Sequence, residues 1–403
     1  MKSLVSVILP VRNGEKHVST AIDSVLAQSY PYFELVVVDA SDDRTPEIIK
    51  AYGDKRIRYY RQKSKGSVNG YNEALDNYVS GKYVTFIHHD DIFHKDKLYE
   101  QVRMMERFAD ADCVYNDIEF VDDSLNTIRI RNHEEYYHRN DDLLAVMMIG
   151  YGISNLGMNA LVKHDFIEKH NLRYSLKTPV CCDHEYMFSM LDAGAIFKHI
   201  DKTLLRYRVH DDNYSGDRDL VEQDNLRIYA RYSLERLRET VERSNYSGPE
   251  KGIILGKLYD RLGHMDLAVN EFKTVIEKDE QNGWAFFYLG TLYYGAGNFT
   301  EALQYLNQGL AVMPFRAELH NNAGCCLFQQ GDLDNAKKEF ESALEIMPNC
   351  YDAKVNIDGI MSQAPFNPRA TAREIEYPEL FGLVWKEAEK KRAESGNLKP
   401  ART

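Results

Sequence analysis

Between residues 249 and 348 the same residue types return every 34 positions: Gly256, Gly290 and Gly324; Tyr259, Tyr293 and Leu327; Ala268, Ala302 and Ala336; Phe272, Leu306 and Phe340. A repeat of that length is one pair of helices, which cannot enclose its own apolar face until a neighbour stacks on it. Three such units, 249–348, therefore have to pile up as a helical solenoid. The Gly and Ala positions let the two helices of a unit approach closely, and the aromatic and Leu positions fill the space between units. Gly263, Gly297 and Gly331 mark the turns, and Pro314 and Pro348 end the second and third units, where the first has Glu280. Tyr351 to Gln363 reads as a helix capping the last exposed face.

The chain of 403 residues is longer than one core usually supports, and its first half has a different period. Up to about Ser215, β-rich apolar runs alternate with helical stretches: VSVILPV, a helix from His17 to Gln28, ELVVVDA, then Pro46 to Tyr52. Further strands are expected at Ile57 to Arg61, Tyr83 to His88 and Cys113 to Val121. That alternation predicts βαβ units around a mostly parallel sheet. Two runs end in acids, at Asp39 and at Asp90-Asp91, outside the carboxyl ends of strands where open α/β sheets bind ligands. The expected division is an α/β domain over 1–215, a helical connector over 216–248, the repeats over 249–363 and a tail over 364–403. Leu380, Phe381, Val384 and Trp385 of the tail offer a short docking face.

The blocks PVRNGE, SVLAQSY, VVVDASDDRT, the glycine-containing segment ending in Asn72, GKYVTFIHHDD, CCDHEYMF and YRVHDDNYSG follow one another in order. Over about residues 3 to 215 they resemble the family 2 glycosyltransferases of the GT-A fold. The 34-residue unit resembles the tetratricopeptide repeat. The resemblance implies a Rossmann-like GT-A domain followed by an all-α solenoid, and an inverting transfer of a sugar from a nucleoside-diphosphate donor, UDP for preference, to a hydroxyl.

By that resemblance Pro10, Val11, Arg12, Asn13 and Glu15 line the donor nucleotide, Asp39 reads the uracil edge, and Asn72, His89 and Asp90 complete the donor site, with Asp90 near the ribose. Arg12 replaces a frequent Tyr, and Tyr71 stands where an Arg often precedes Asn72. Charge builds on the departing diphosphate, so a divalent cation is implied, Mn²⁺ or Mg²⁺, with Asp91 and His210 as its ligands. His88 stands at the first acid of the family's usual D-x-D. His88 and His89 are read as shaping the pocket, with neither assigned as a metal ligand. An acceptor hydroxyl is a poor nucleophile, so a carboxylate must take its proton. Asp183 falls on the acidic motif that supplies this base, with Glu185 the neighbouring candidate.

Sixty-two acids outnumber 50 Lys and Arg, a formal net charge of -12, which argues against nucleic acid as a partner. The opening MKSLVSVILPVRNGE shows neither a signal peptide nor a membrane span, and the six Cys read as reduced structural thiols, so a cytoplasmic protein is expected. Trp284, Phe287 and Tyr294 fall on the inner face of the second repeat and suggest a groove for a protein or peptide acceptor, as in bacterial protein O-glycosylation of a flagellin or adhesin. An asparagine ladder is not expected there, the equivalent positions being Ile254, Tyr288 and Asn322. Three alternatives stand beside this reading: a polysaccharide or lipid-linked acceptor, repeats that only form oligomers, and a scaffold that binds nucleotide sugar without turnover. The sugar itself would be selected by the stretch from Ile149 to Cys182.

Overall fold

The computed structural model describes residues 2–64, 66–131, 159–210, 218–362 and 365–372. Two compact units divide the chain, Met1–Arg231 and Tyr232–Thr403. The proposed docking face at Leu380 to Trp385 and the start of the sugar-selecting stretch lie outside the described residues.

In the first unit β1 (Val5–Val11), β2 (Phe33–Asp39) and β4 (Tyr83–Phe86) are buried along their whole length, as their continuous apolar runs require of strands covered on both faces. β1 pairs in parallel with β2 and with β4, and β2 with β3 (Ile57–Arg61). Helices α1 (Val18–Leu26), α2 (Thr45–Lys50) and α3 (Ser67–Asn77) make the crossovers. Beyond β4 come β5 (Ile92–Phe93), α4 (Lys97–Arg107), β6 (Cys113–Val121), β7 (Thr127–Arg131), β8 (Leu161–Lys163), α5 (His164–Lys169), α6 (Cys182–Asp192), β9 (Phe197–Arg208) and α7 (Arg218–Tyr229).

The sheet runs β3-β2-β1-β4-β8-β6-β9-β5, with β7 on β6. Chain order reverses at β1, so the crevice between the ends of β1 and β4 is a topological switch point, where such sheets bind ligands. The half beyond β4 is mixed. β8 is antiparallel to both β4 and β6, β5 is antiparallel to β9, and β6 and β9 are parallel.

The second unit holds α8 (Leu234–Arg243) and then the pairs α9 (Gly248–Arg261) with α10 (Met265–Lys278), α11 (Gly283–Gly295) with α12 (Phe299–Val312), and α13 (Ala317–Gln329) with α14 (Leu333–Ile346), followed by α15 (Tyr351–Ser362). The stretch read as a connector is thus shared: α7 belongs to the first unit and α8 to the second. Asp224 of α7 accepts from the backbone N–H groups of Val180 and Cys181, which ties that helix to the entrance of α6.

The repeat positions do what their spacing demands. A Cβ on Gly256, Gly290 or Gly324 would meet the side chain of Phe272, Leu306 or Phe340 at 2.5, 2.7 and 2.6 Å, so the two helices of each unit touch at the position without a side chain. The turn glycines Gly263, Gly297 and Gly331 have φ of 78°, 79° and 84°, the left-handed region that L side chains resist. Replacing Gly324 by Val would drive the Phe340 ring off α13. A loss of about 1–3 kcal/mol is expected, seen as a lower urea midpoint at unchanged slope.

Candidate active site

Two loops close the first side of the crevice. After β1 the backbone turns through Asn13, whose φ of 53° is left-handed, and the turn is laced to the loop after β2. Asn13 N–H donates to Ser41 Oγ at 2.8 Å, Gly14 N–H to Thr45 Oγ1 at 2.9 Å, and Asp42 N–H returns to Asn13 Oδ1 at 2.9 Å. Glu15 takes part by accepting from Arg44 N–H at 3.3 Å. Gly14 is required by packing, since a Cβ would stand 2.7 Å from the His89 ring. Pro10 and Val11 form the end of β1 and Arg12 is exposed beyond it.

Asp39, at the end of β2, is fully enclosed. Its carboxylate accepts from Ser41 N–H at 2.8 Å, Tyr59 O–H at 2.6 Å and Arg61 at 3.0 Å. Burial and this acceptor push the Tyr59 hydroxyl up to about 12, which keeps it a donor. Arg61 is half exposed, so the guanidinium stands between Asp39 and solvent. Asn72 is also engaged: its amide pairs with the backbone of Tyr174, donating to the carbonyl and accepting from the N–H at 2.8 Å each. It fastens α3 to the segment leading into α6.

The turn after β4 carries the acids. Asp91 is buried, with Oδ1 accepting from Arg208 N–H at 3.2 Å, while Oδ2 has no hydrogen-bond partner and lies 3.5 Å from His88 Nδ1. Asp90 Oδ2 meets His210 Nε2 at 2.9 Å. Ligand atoms of His88, Asp90 and Asp91 fall within 4.8 Å of one another, close enough to share one cation. A buried carboxylate oxygen without a donor is costly unless something positive stands beside it, a place that the His88 imidazole fills at 3.5 Å when protonated and that a cation fits when His88 is neutral. These residues therefore fit a divalent ion.

The electrostatics of the turn follow from that crowding. Burial alone would raise the Asp90 carboxyl, yet the hydrogen bond from His210 and the charges of His89 and His88 hold it well below the usual range. Burial and the neighbouring Asp90 raise Asp91 against the pull of His88. Burial would lower His88, but Asp91, Asp90 and Asp183 outweigh it and push it up to about 9.

Asp183 sits in the first turn of α6. Burial lifts its carboxyl to about 6, opposed mainly by the charge of His88, which brings the acid turn and the start of α6 into one electrostatic site. Glu185 is committed elsewhere, accepting from Thr178 O–H and from Arg231 at 3.3 Å. Glu185 thus braces α6, while the Asp183 carboxyl is raised toward neutral pH. Glu185→Gln is expected to cost about 1 kcal/mol of stability, read by thermal unfolding, and to leave catalytic turnover unchanged. Below them Tyr71, Tyr174 and Tyr186 stack with centroids 4.6 and 4.3 Å apart and form the floor, which is why a Tyr occupies position 71.

Of the residues singled out in the sequence, His89, Asp90, Asp91 and His210 meet at the turn. His88, read there only as a pocket wall, stands with the cation-binding atoms, whereas His210 spends its ring nitrogen on Asp90. Arg208 was missed. It is buried, holds Asp90 O through Nε at 3.0 Å and Asp123 O through Nη1 at 2.9 Å, and so fixes the turn. Its signal was its place two residues before His210 in YRVH.

In the repeats Phe287 is 0% exposed and belongs to the core, so it cannot anchor a ligand. Trp284 is half-buried beneath the Arg316 guanidinium, and Tyr294 reaches Pro368 O at 3.3 Å. The expected absence of an asparagine ladder needs correction as well. Asn356, one period after Asn322, lies in the capping helix, and both side chains grip backbone of the segment 366–371.

Residues 6–170 match the family described as Glycosyl transferase family 2. Residues 261–321 and 317–350 match two tetratricopeptide-repeat families. Residues 6–170 are a family 2 glycosyltransferase domain, and tetratricopeptide repeats follow at 261–350. An uncharacterized glycosyltransferase of Rickettsia felis is 29% identical over 217 residues, covering 53% of this chain and 35% of its own. The putative teichuronic acid biosynthesis glycosyltransferase TuaG of Bacillus subtilis is 40% identical over 111 residues, 26% of this chain and 44% of its own. WfgD of Escherichia coli, a UDP-Glc:alpha-D-GlcNAc-diphosphoundecaprenol beta-1,3-glucosyltransferase, is 39% identical over 104 residues, 25% of this chain and 41% of its own. The chain spans 35% and 64% of the lengths of two rickettsial relatives it matches. Among solved structures, S. aureus TarS 1-349 in complex with UDP-GlcNAc aligns over 86% of this chain and 92% of its own, with 17% identity and a TM-score of 0.46. Asp183 and His210 lie beyond the matched residues, so their roles are argued from the site. No helix among the described residues is long and apolar enough to cross a membrane.

Proposed function

We propose that this glycosyltransferase moves a sugar from a nucleoside-diphosphate donor, UDP for preference, to an acceptor hydroxyl with inversion. The observation that carries the reading is the shared field of two opposed parts: the His88, Asp90 and Asp91 cluster with its undonated carboxylate oxygen, and Asp183 with its carboxyl lifted to about 6. The acceptor oxygen attacks the anomeric carbon as Asp183 takes its proton, and the bond from that carbon to the diphosphate breaks with the electron pair leaving on the nucleotide. A divalent ion held by His88, Asp90 and Asp91 supplies Lewis-acid stabilisation of the departing diphosphate. Arg208 and His210 keep the two acids oriented. The loops at Pro10 to Glu15 and at Asp39 form the wall for the nucleotide, with Arg12 and Arg61 its exposed cations. The preference for UDP is supported by the UDP-Glc donor of WfgD. Six free, buried cysteines support a reducing, cytoplasmic setting.

For the acceptor, the repeat groove supports a protein, since its asparagine side chains pair with extended main chain. A polysaccharide or lipid-linked glycan is the second reading, favoured by the names of TuaG and WfgD. The test incubates the purified chain with UDP-, GDP- and dTDP-sugars, with Mn²⁺, Mg²⁺ or chelator, and measures released nucleotide. Release from a UDP-sugar that depends on the ion is expected. Tight donor binding with no release under any condition would leave a scaffold.

A further inference from the structure

In the second unit the segment 365–372, which follows α15 in sequence, lies against α13 and α15. Arg369 N–H donates to Asn356 Oδ1 at 2.7 Å and Arg369 O accepts from Asn356 Nδ2 at 3.0 Å. Two residues on, Thr371 N–H donates to Asn322 Oδ1 at 2.6 Å and Thr371 O accepts from Asn322 Nδ2 at 2.8 Å. One repeat period therefore matches two residues of peptide. That register is the signature of an extended chain, in which the N–H and C=O of residues i and i+2 face the same side. Asn321 adds a second donor to Arg369 O at 2.8 Å, and Tyr294 donates to Pro368 O.

Side-chain contacts give the register a chemical preference. The Phe366 ring rests on Phe328 with centroids 4.7 Å apart and covers Gly359, where a Cβ would come within 2.5 Å of it. Arg369 Nε lies 3.3 Å from Asp352 Oδ1. Ala370 packs on the cluster around Phe340 and Cys325. The Thr371 hydroxyl donates to Asp352 Oδ2 at 3.0 Å and accepts from Asn321 Nδ2 at 3.1 Å. A cavity of about 330 Å³ adjoins Ala372, walled by Tyr288, Thr291 and Leu292.

We infer that this concave face is a recognition groove for an extended peptide, read through its main chain by Asn322 and Asn356, and that residues 366–371 are a resident competitor for it. The peptide it fits carries an aromatic ring, then a basic residue three positions on, a small residue and a hydroxyl residue. Bidentate pairing of Asn with main chain is tolerant of sequence, which suits a groove that accepts its own tail and a partner alike. Tethering gives the tail a high effective concentration, so a free peptide competes poorly until the tail is released. The inference deepens the protein-acceptor reading, and its test uses no sugar donor, so either can fail while the other stands.

The experiment measures fluorescence anisotropy of a labelled synthetic peptide of sequence PFNPRATA with the full chain. In one variant the tail carries Arg369→Pro and Thr371→Pro, which remove the two N–H groups the asparagines receive. That variant is expected to bind the peptide at least about tenfold more tightly than the unaltered chain. A second peptide, N-methylated at its Arg and Thr, leaves the protein untouched and is expected to bind the same variant at least about tenfold more weakly than the plain peptide. Equal affinity of the two proteins, no binding to either, or equal affinity for the two peptides would each overturn the inference.

Discussion

Asp183→Asn is expected to lower sugar transfer by about 10²-fold or more while donor affinity, followed by titration with the UDP-sugar, stays within about twofold. The amide keeps the shape of the carboxylate and its place in the first turn of α6, but it cannot take a proton. The pH profile gives the same residue a second signature. Because burial raises the carboxyl to about 6, the proton-free base is depleted below that pH, so transfer should rise as pH climbs through 6 and level off above it. One pH unit below the midpoint, about a tenth of the plateau rate remains. In Asp183→Asn the residual rate should lose that rise. A full rate in this variant would place the base elsewhere.

Removal of the other half of the site should be as severe. Asp91→Ala takes away the carboxylate whose Oδ2 lacks a donor, and ion-supported release of nucleotide should fall by about 10²-fold or more with isothermal binding of Mn²⁺ lost alongside. The variant should fold, because the Asp91 carboxylate accepts from one backbone donor, Arg208 N–H, and the His88 imidazole it pairs with keeps the charges of Asp90 and Asp183 beside it. Treatment of the unaltered chain with chelator should reproduce the loss and added Mn²⁺ should restore it. Unchanged Mn²⁺ binding and turnover by a well-folded Asp91→Ala chain would sink the assignment of this turn as the ion site.

These expectations rest on features of unequal visibility in the sequence. The acid turn was legible because an apolar run that stops at two aspartates reads as a strand end, and the structure puts that end beside β1 at the switch point. The role of His88 was not, since a histidine two or three residues before an acid can face either way until the turn is built. Asn72 shows the opposite case: its motif points to the donor, while its amide pairs with the Tyr174 backbone more than one hundred residues away. In the repeats the comparison of three equivalent positions concealed the two-rung ladder, because the second rung belongs to the capping helix and its partner is a stretch without periodicity.

What the sequence determined by itself was everything carried by local periodicity. A 34-residue recurrence compels stacked helix pairs, and buried apolar runs alternating with amphipathic helices compel a covered parallel sheet, because each pattern allows one way to remove its apolar face from water. The tertiary structure alone decided which polar groups are satisfied. Antiparallel insertion of β8 between β4 and β6, the return of β9 that lays Arg208 and His210 on the acids, the closure of Tyr59 and Arg61 over Asp39, and the capture of residues 366–371 all depend on pairings between distant segments. A side chain's partner across such a distance leaves no period in the chain, so its chemistry becomes visible only when the fold has brought the two together.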